Sequence, residues 1–305
     1  MDKFKMAYHC ITWGWDNYRE CMKSIVSLGF RGFETLAGAA DWEKDKRDDL
    51  IKALKEYGLV LACTYGSAGM IEKETHAADF ERNVRWAEFA AKNGAKAYII
   101  GGGVRRPNGP TEKDMENAAE ILNRIGKKIN TMGIKACVHP HLNTFCEGPG
   151  EVDKIMALTD PRYVWLAPDT AHLYAGGANV PEVFRKHFDR IAYIHAKDTV
   201  HVHPKIGKDV GSMTIMEVFT ELGNGRVPFQ EIFQILREQG YSDWITTELD
   251  MTHRTPEESA RISRDYLRDQ LSVGFIERRD KGGLVKERDY VELDRCIMNN
   301  LLGEK

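Results

Sequence analysis

The 305-residue chain is predicted to form a closed (β/α)8 barrel. Three observations carry this. Eight short apolar or β-branched runs alternate with amphipathic stretches, and such alternation gives parallel strands with helices between them. Eight such units in about this length close a barrel rather than leave an open sheet. No GxGxxG turn follows the first run, so the fingerprint of a doubly wound dinucleotide fold is missing.

The first strand is KMAYHCITW (5–13), with a helical pattern after it in DNYRECMKSIVSLG. FRGFETLAG (30–38), GLVLACTYG (58–66) and AKAYIIGGG (95–103) are the next three strands, and DFERNVRWAEFAAKNG is the helix before the fourth. The helix EKDMENAAEILNRIGKKINTMG follows; Ala118, Ile121, Leu122, Ile125 and Ile129 fall at three- and four-residue steps and make one apolar face. IKACVHPH (134–141), YVWLAPDTAH (163–172), IAYIHAKD (191–198) and WITTELD (244–250) complete the set. Several strands start just after a glycine, as in SLGF, EYGL, KNGA, TMGI and EQGY. Glycine takes the left-handed cap without penalty, so these mark helix ends. The barrel spans residues 1–270. A C-terminal extension, 271–305, fits packing against the barrel floor or against a second copy of the chain. The segment 199–227, which leaves the seventh strand at the end where barrels place their working loops, is expected to act as a lid.

Composition excludes several classes. Net charge is −3 with both signs interspersed, which gives no basic face for nucleic acid. No run of eighteen apolar residues is present, so neither a membrane span nor a secretory leader is expected. Six cysteines (Cys10, Cys21, Cys63, Cys137, Cys146, Cys296) are scattered without a CxxC pair and read as reduced core filler in a cytoplasmic protein.

At four consecutive strand ends the apolar run is broken by an ionisable side chain: His139 and His141, Asp169 and His172, His195 and Lys197, and Glu248. Residues two apart in a strand share a face, so His139 pairs with His141 and His195 with Lys197. Each alone has a plain structural use; Asp169 before Thr170, for instance, can cap a helix. Four together point to a metal, because buried charges are rarely kept unless paired or metal-bound. Gly101-Gly102-Gly103 with Arg105 and Arg106 reads as a turn with solvated arginines rather than a phosphate cradle. His201 and His203 read as lid or surface residues. No serine nucleophile elbow is present.

The motifs VHPHLNT (138–144), PDTAHLYAGG (168–177), YIHAKD (193–198), ELGNGRVPF (221–229) and ITTELD (245–250), in that order, resemble the xylose-isomerase-like TIM-barrel superfamily of sugar isomerases, epimerases and dehydratases, and within it the inosose dehydratases. The resemblance covers roughly residues 6 to 270. It implies one divalent metal held from the last four strands, usually by Glu, Asp, His and Glu. Asp169, His195 and Glu248 match three of these, and the fourth falls to His139 or His141. It further implies His172 and Glu34 as substrate contacts, with Trp13 as an apolar wall or a core residue. Two histidines and two carboxylates suit manganese, iron, cobalt or zinc better than magnesium or calcium. Epimerases of the superfamily use two opposed glutamates as bases; histidine in place of one breaks that symmetry.

The expected activity is therefore a carbon–oxygen lyase that dehydrates an inosose or related keto-sugar through an enediolate. His141 or Glu248 would take the α-proton, and Lys197 or a histidine would assist loss of the hydroxyl. Isomerisation or epimerisation of a free keto-sugar, cleavage of a 3-keto-glycoside (carbon-linked ones included) and a metal-free binding module are the alternatives. DNA repair, known for endonuclease IV on this fold, needs three zinc ions and a DNA-binding surface, and both the ligands and the charge for it are lacking.

Overall fold

A computed structural model of the chain describes residues 4–200 and 218–275. Eight parallel strands form the sheet: β1 (Lys5–His9), β2 (Gly32–Leu36), β3 (Val60–Ala68), β4 (Ala97–Gly102), β5 (Lys135–Val138), β6 (Val164–Leu166), β7 (Ile194–Ala196) and β10 (Trp244–Thr247). Their order is β6-β5-β4-β3-β2-β1-β10-β7. Parallel bridges Leu166↔Ile191 and Asp169↔His195 join the two ends of that order and complete the circuit. The backbone bonds Ala192 N–H to Leu166 C=O, 3.1 Å, and His195 N–H to Pro168 C=O, 3.0 Å, make the join. The predicted barrel is the observed architecture, and the join lies beside two of the predicted ligands.

Helices follow the strands where the periodicity places them. In the helix Glu112–Asn130 the predicted face Ala118, Ile121, Leu122, Ile125 and Ile129 is wholly buried. Each of the four large aliphatics contributes about 1.5–3 kcal/mol by leaving water. Thr111 starts this helix with a capping box: its hydroxyl accepts the Asp114 N–H while the Asp114 carboxylate accepts the Thr111 N–H. Gly58 ends the helix Lys44–Tyr57 in the left-handed conformation, φ 64° and ψ 38°, as the glycine signal requires.

The main core lies between sheet and helices, and Leu271 and Val273, just past the last barrel helix, are buried in it. A second apolar cluster contains small side chains such as Ala7, Ala62, Cys63, Ala97 and Cys137 together with Trp244. Gly32 makes room for that tryptophan, since a Cβ there would lie 2.5 Å from its ring. The five described cysteines are buried and unpaired.

Two strands are shorter than the runs that predict them. β6 stops at Leu166, because Asp169 already caps a helix, Thr170–Ala175, inside the predicted strand 163–172. β7 covers three residues of 191–198, and Asp198–Thr199 (β8) pairs antiparallel with Phe219–Thr220 (β9). That ribbon forms the base of the predicted lid. Its carboxylate anchor is Asp198, which accepts the N–H groups of Thr199, Gly223, Gly225 and Val227 at 2.8–3.1 Å. The rest of the insertion, with His201 and His203, lies outside the described residues, as do Cys296 and the extension from residue 276 onward. No helix among the described residues is long and apolar enough to cross a membrane.

Candidate metal centre and active site

Parallel strands bring their C-terminal ends to one mouth, and residues within β7 and just past β5, β6 and β10 meet there. His139, Asp169 and His195 are buried and offer ligand atoms that all lie within 4.8 Å of one another. Glu248 joins them through Oε2, which touches Nδ1 of His195. Asp169 Oδ2 lies 3.9 Å from the same nitrogen.

Hydrogen bonds assign the free lone pairs. Asp169 uses Oδ1 as the helix cap, accepting the N–H groups of Ala171 at 2.8 Å and His172 at 2.9 Å. Its Oδ2 has no hydrogen-bond partner, and Nδ1 of His195 and Oε2 of Glu248 have only each other. His139 donates from Nδ1 to the Ala167 carbonyl at 3.0 Å, which leaves Nε2 as the lone pair. Buried acceptors crowded in this way favour a cation among them, because an orphaned buried polar atom costs about 1–3 kcal/mol. The donor set fits a mixed nitrogen and oxygen site for a transition ion.

Beside these groups sits Lys197, 1% exposed, with its ammonium 2.9 Å from Glu248 Oε1 and 2.7 Å from Asp250 Oδ2. Burial opposes its charge, but Asp250, Glu248 and Asp169 outweigh burial and keep it protonated. Burial likewise opposes ionisation of Glu248, which Lys197 and His195 nevertheless hold well below the usual carboxylate range. For Asp169 burial wins and pushes the carboxyl up to about 6, against the pull of Lys197. His139, His141 and His172 are all pushed down by burial. His195 goes the other way: Glu34 and Glu248 overcome burial and raise it.

His141 and His172 stack with ring centroids 3.6 Å apart, and Leu142 orients both. His141 donates from Nδ1 to the Leu142 carbonyl at 2.8 Å, so its Nε2 is an acceptor. His172 accepts the Leu142 N–H on Nδ1 at 3.2 Å, so its proton is on Nε2, 3.5 Å from Lys197 Nζ. The stacked pair thus presents one acceptor and one donor. Phe219 covers this side: its ring meets His172 at 4.6 Å and lies 4.4 Å from Lys197 Nζ. It also lines, with Leu249, Met251, Thr220, Glu221 and Arg254, a cavity of about 320 Å³.

Glu34 lies beneath the cluster, fully buried against His195 and Tyr193. Trp13 packs edge-on to Tyr8 at 5.4 Å; the indole that meets the cluster is Trp15, edge-on to His9 at 5.8 Å. Sequence reasoning does not place His9, Tyr65, Tyr193 and Phe219 at the site, and it leaves Asp250 open to a reading as loop solvation. Asp250 had a signal, being two residues past Glu248 in the same motif. Tyr193 opens the YIHAKD motif, whereas His9, Tyr65 (edge-on to His139 at 5.2 Å) and Phe219 are brought in by folding and carry no local mark.

Comparison with known proteins assigns the family. A family model described as xylose isomerase-like TIM barrel matches residues 22–270. The chain belongs to the xylose isomerase-like TIM barrel family. Curated relatives within reach of it include an inosose dehydratase of Clostridium tetani, 28% identical over 300 residues, covering 89% of this chain and 99% of the relative. Another, from Bacillus licheniformis, is 35% identical over 163 residues, covering 52% of this chain and 54% of the relative. Among solved structures, the probable 3-DHS dehydratase AsbF of Bacillus anthracis superposes with a TM-score of 0.74 at 14% identity, over 87% of this chain and 99% of that one. The IolI protein, solved with a zinc atom bound, gives 0.73 at 17% identity, over 88% and 98%. At these identities the structural likeness establishes the shared barrel.

Proposed function

We propose that the protein is a metal-dependent carbon–oxygen lyase that dehydrates an inosose or a related keto-sugar. The observation that carries this reading is the buried group of His139, Asp169 and His195, with Glu248 Oε2 against His195 Nδ1, at the mouth of a family barrel. These four would hold the ion, and His139 is favoured over His141 because it is the histidine grouped with Asp169 and His195. A bound manganese, iron, cobalt or zinc ion would act as a Lewis acid on a ketone oxygen and make the adjacent C–H acidic.

The chain's own groups supply the proton chemistry. His141, neutral and with Nε2 free to accept, is the base for the α-proton. Lys197 and the Nε2–H of His172 are the donors that hold the departing hydroxyl. Phe219, Leu249 and the buried rim keep water from the reacting carbon. Base and donors are of different kinds, and the second carboxylate that an epimerase would use is here a histidine. This asymmetry supports elimination over epimerisation, and the dehydratase names of the curated relatives agree with it.

The test is to strip the protein of metal, reload it with one ion at a time, and incubate it with a panel of inososes and 3-keto-glycosides under mass spectrometry. Loss of one water from an inosose, only with metal present, is the expected result. Release of an aglycone, or altered stereochemistry at unchanged mass, would replace the dehydratase reading with the corresponding alternative.

A further inference from the structure

Glu34 is 0% exposed in the middle of β2, and its carboxylate faces the ring of His195. Nε2 of His195 lies 3.0 Å from Oε1 and 3.1 Å from Oε2, so both oxygens share one N–H. The Tyr193 hydroxyl donates to Oε2 at 2.8 Å and is itself in contact with the Thr246 hydroxyl. His9 completes the enclosure, with Nε2 3.8 Å from Oε1. A carboxylate oxygen is an acceptor, so the proton of His195 must sit on Nε2. Nδ1, in contact with Glu248 Oε2 and 3.9 Å from Asp169 Oδ2, is the nitrogen that would release its proton to take an ion.

We propose that Glu34 is a positioning residue for the metal site: held by Tyr193 and Thr246, it fixes the ring and tautomer of His195 so that Nδ1 is the nitrogen offered to the ion. The inference rests on the metal reading above. A carboxylate behind a ligating imidazole also makes the ring a stronger Lewis base, and losing such a partner weakens metal binding about 10–100-fold. A substrate contact, the role the family resemblance implies, would act differently. It would move KM and leave metal affinity alone. The burial of Glu34 and its use of both oxygens within the protein favour the positioning role.

The experiment titrates zinc against a chromogenic chelator for the wild type, Glu34→Gln, Tyr193→Phe and Asp169→Ala, and records the melting temperature of each metal-free protein. Glu34→Gln should bind zinc about 10–100-fold more weakly, with its metal-free melting temperature close to wild type. Nitrogen NMR of labelled histidine should show a single tautomer for wild-type His195 and a mixture in the variant. Tyr193→Phe should lose affinity in the same direction but by less. If Glu34→Gln does not fold, Tyr193→Phe decides the matter, since an unchanged zinc affinity there overturns the role. Wild-type zinc affinity in Glu34→Gln, beside its loss in Asp169→Ala, overturns the role and leaves the metal reading standing. A wild type that takes up no zinc, manganese or cobalt overturns both.

Discussion

The two halves of the barrel mouth are built on opposite plans. At the ends of β3 and β4 the chain closes on itself. Gly66 admits the Tyr98 hydroxyl, which donates to Asn83 Oδ1 at 2.7 Å. Arg105 is tied to Glu151 at 2.9 Å, and Arg106 grips both oxygens of Asp114 at 2.7 and 2.8 Å. The sequence reads the three glycines and two arginines as a turn with solvated arginines; Gly101 and Gly102 instead end β4, only Gly103 lies past it, and both arginines are ion-paired. Across the mouth, at β6, β7 and β10, Asp169 Oδ2 lacks a hydrogen bond, and Nδ1 of His195 and Oε2 of Glu248 meet only each other. Isolated unsatisfied atoms occur elsewhere, such as Thr64 Oγ1 on β3 and Asn117 Oδ1; what sets the ligand side apart is that Asp169, His195 and Glu248 bring theirs together.

The largest effect that sharpens this contrast is expected at Asp169. Asp169→Asn keeps a side-chain oxygen to cap Thr170–Ala175 but removes the free carboxylate oxygen, so metal retention should vanish while stability changes little. Asp169→Ala should lose both the metal and about 0.5–2 kcal/mol through the missing cap. Elemental analysis after gel filtration and thermal melting check the pair. Full occupancy in both would break the comparison.

On the closed side the opposite pattern is expected. A Cβ at Gly66 would lie 2.0 Å from the Tyr98 hydroxyl and 3.0 Å from Asn83 Oδ1. Overpacking of this kind costs about 1–3 kcal/mol. Gly66→Ala should therefore lower the melting temperature and leave zinc affinity as it was. A variant of wild-type stability would mean that the β3 and β4 ends are looser than the packing indicates.

The smallest effect is electrostatic. Arg106, helped by the Thr111 N–H, holds the buried Asp114 carboxyl far below its ordinary value. A depressed folded-state pKa contributes stability above the unfolded value, near ~4, that is lost as pH falls toward the folded one. Asp114→Asn keeps an oxygen for the Thr111 N–H but loses the ion pair with the part-exposed Arg106, and should thus cost about 0.5–1 kcal/mol at neutral pH. The difference from wild type should shrink steadily below about pH 4. Denaturant melts across that range test the sign, and a gap that widened on acidification would contradict it.

Much of this contrast is legible in the amino-acid sequence. Alternating runs and helix-ending glycines mark the barrel, and HPH, PDTAH, HAKD and ELD mark the four strand ends that meet. Asp169 shows why two readings of one residue need not compete: one oxygen caps a helix and the other stays free. What stays hidden is long-range. Glu34 and His195 are 161 positions apart, and nothing local in FRGFETLAG says that its carboxylate will turn to a histidine on β7. The proton positions on His139, His141, His172 and His195 are set by carbonyls, an N–H and a carboxylate that only the folded backbone brings near. The short span of β6 is hidden for a related reason: an apolar run continues into a residue whose side chain ends the strand by capping.

The central claim is that proton removal at this mouth is asymmetric and leads to elimination, and one measurement tests it most directly. Metal-loaded protein is incubated with an inosose in deuterium oxide, and both product and recovered substrate are followed by mass spectrometry and NMR. The expected result is dehydrated product, with little deuterium at the α-carbon of recovered substrate. Interconversion of stereoisomers with solvent deuterium incorporated and no loss of water would contradict it, and would move this barrel from the dehydratases to the epimerases of its family.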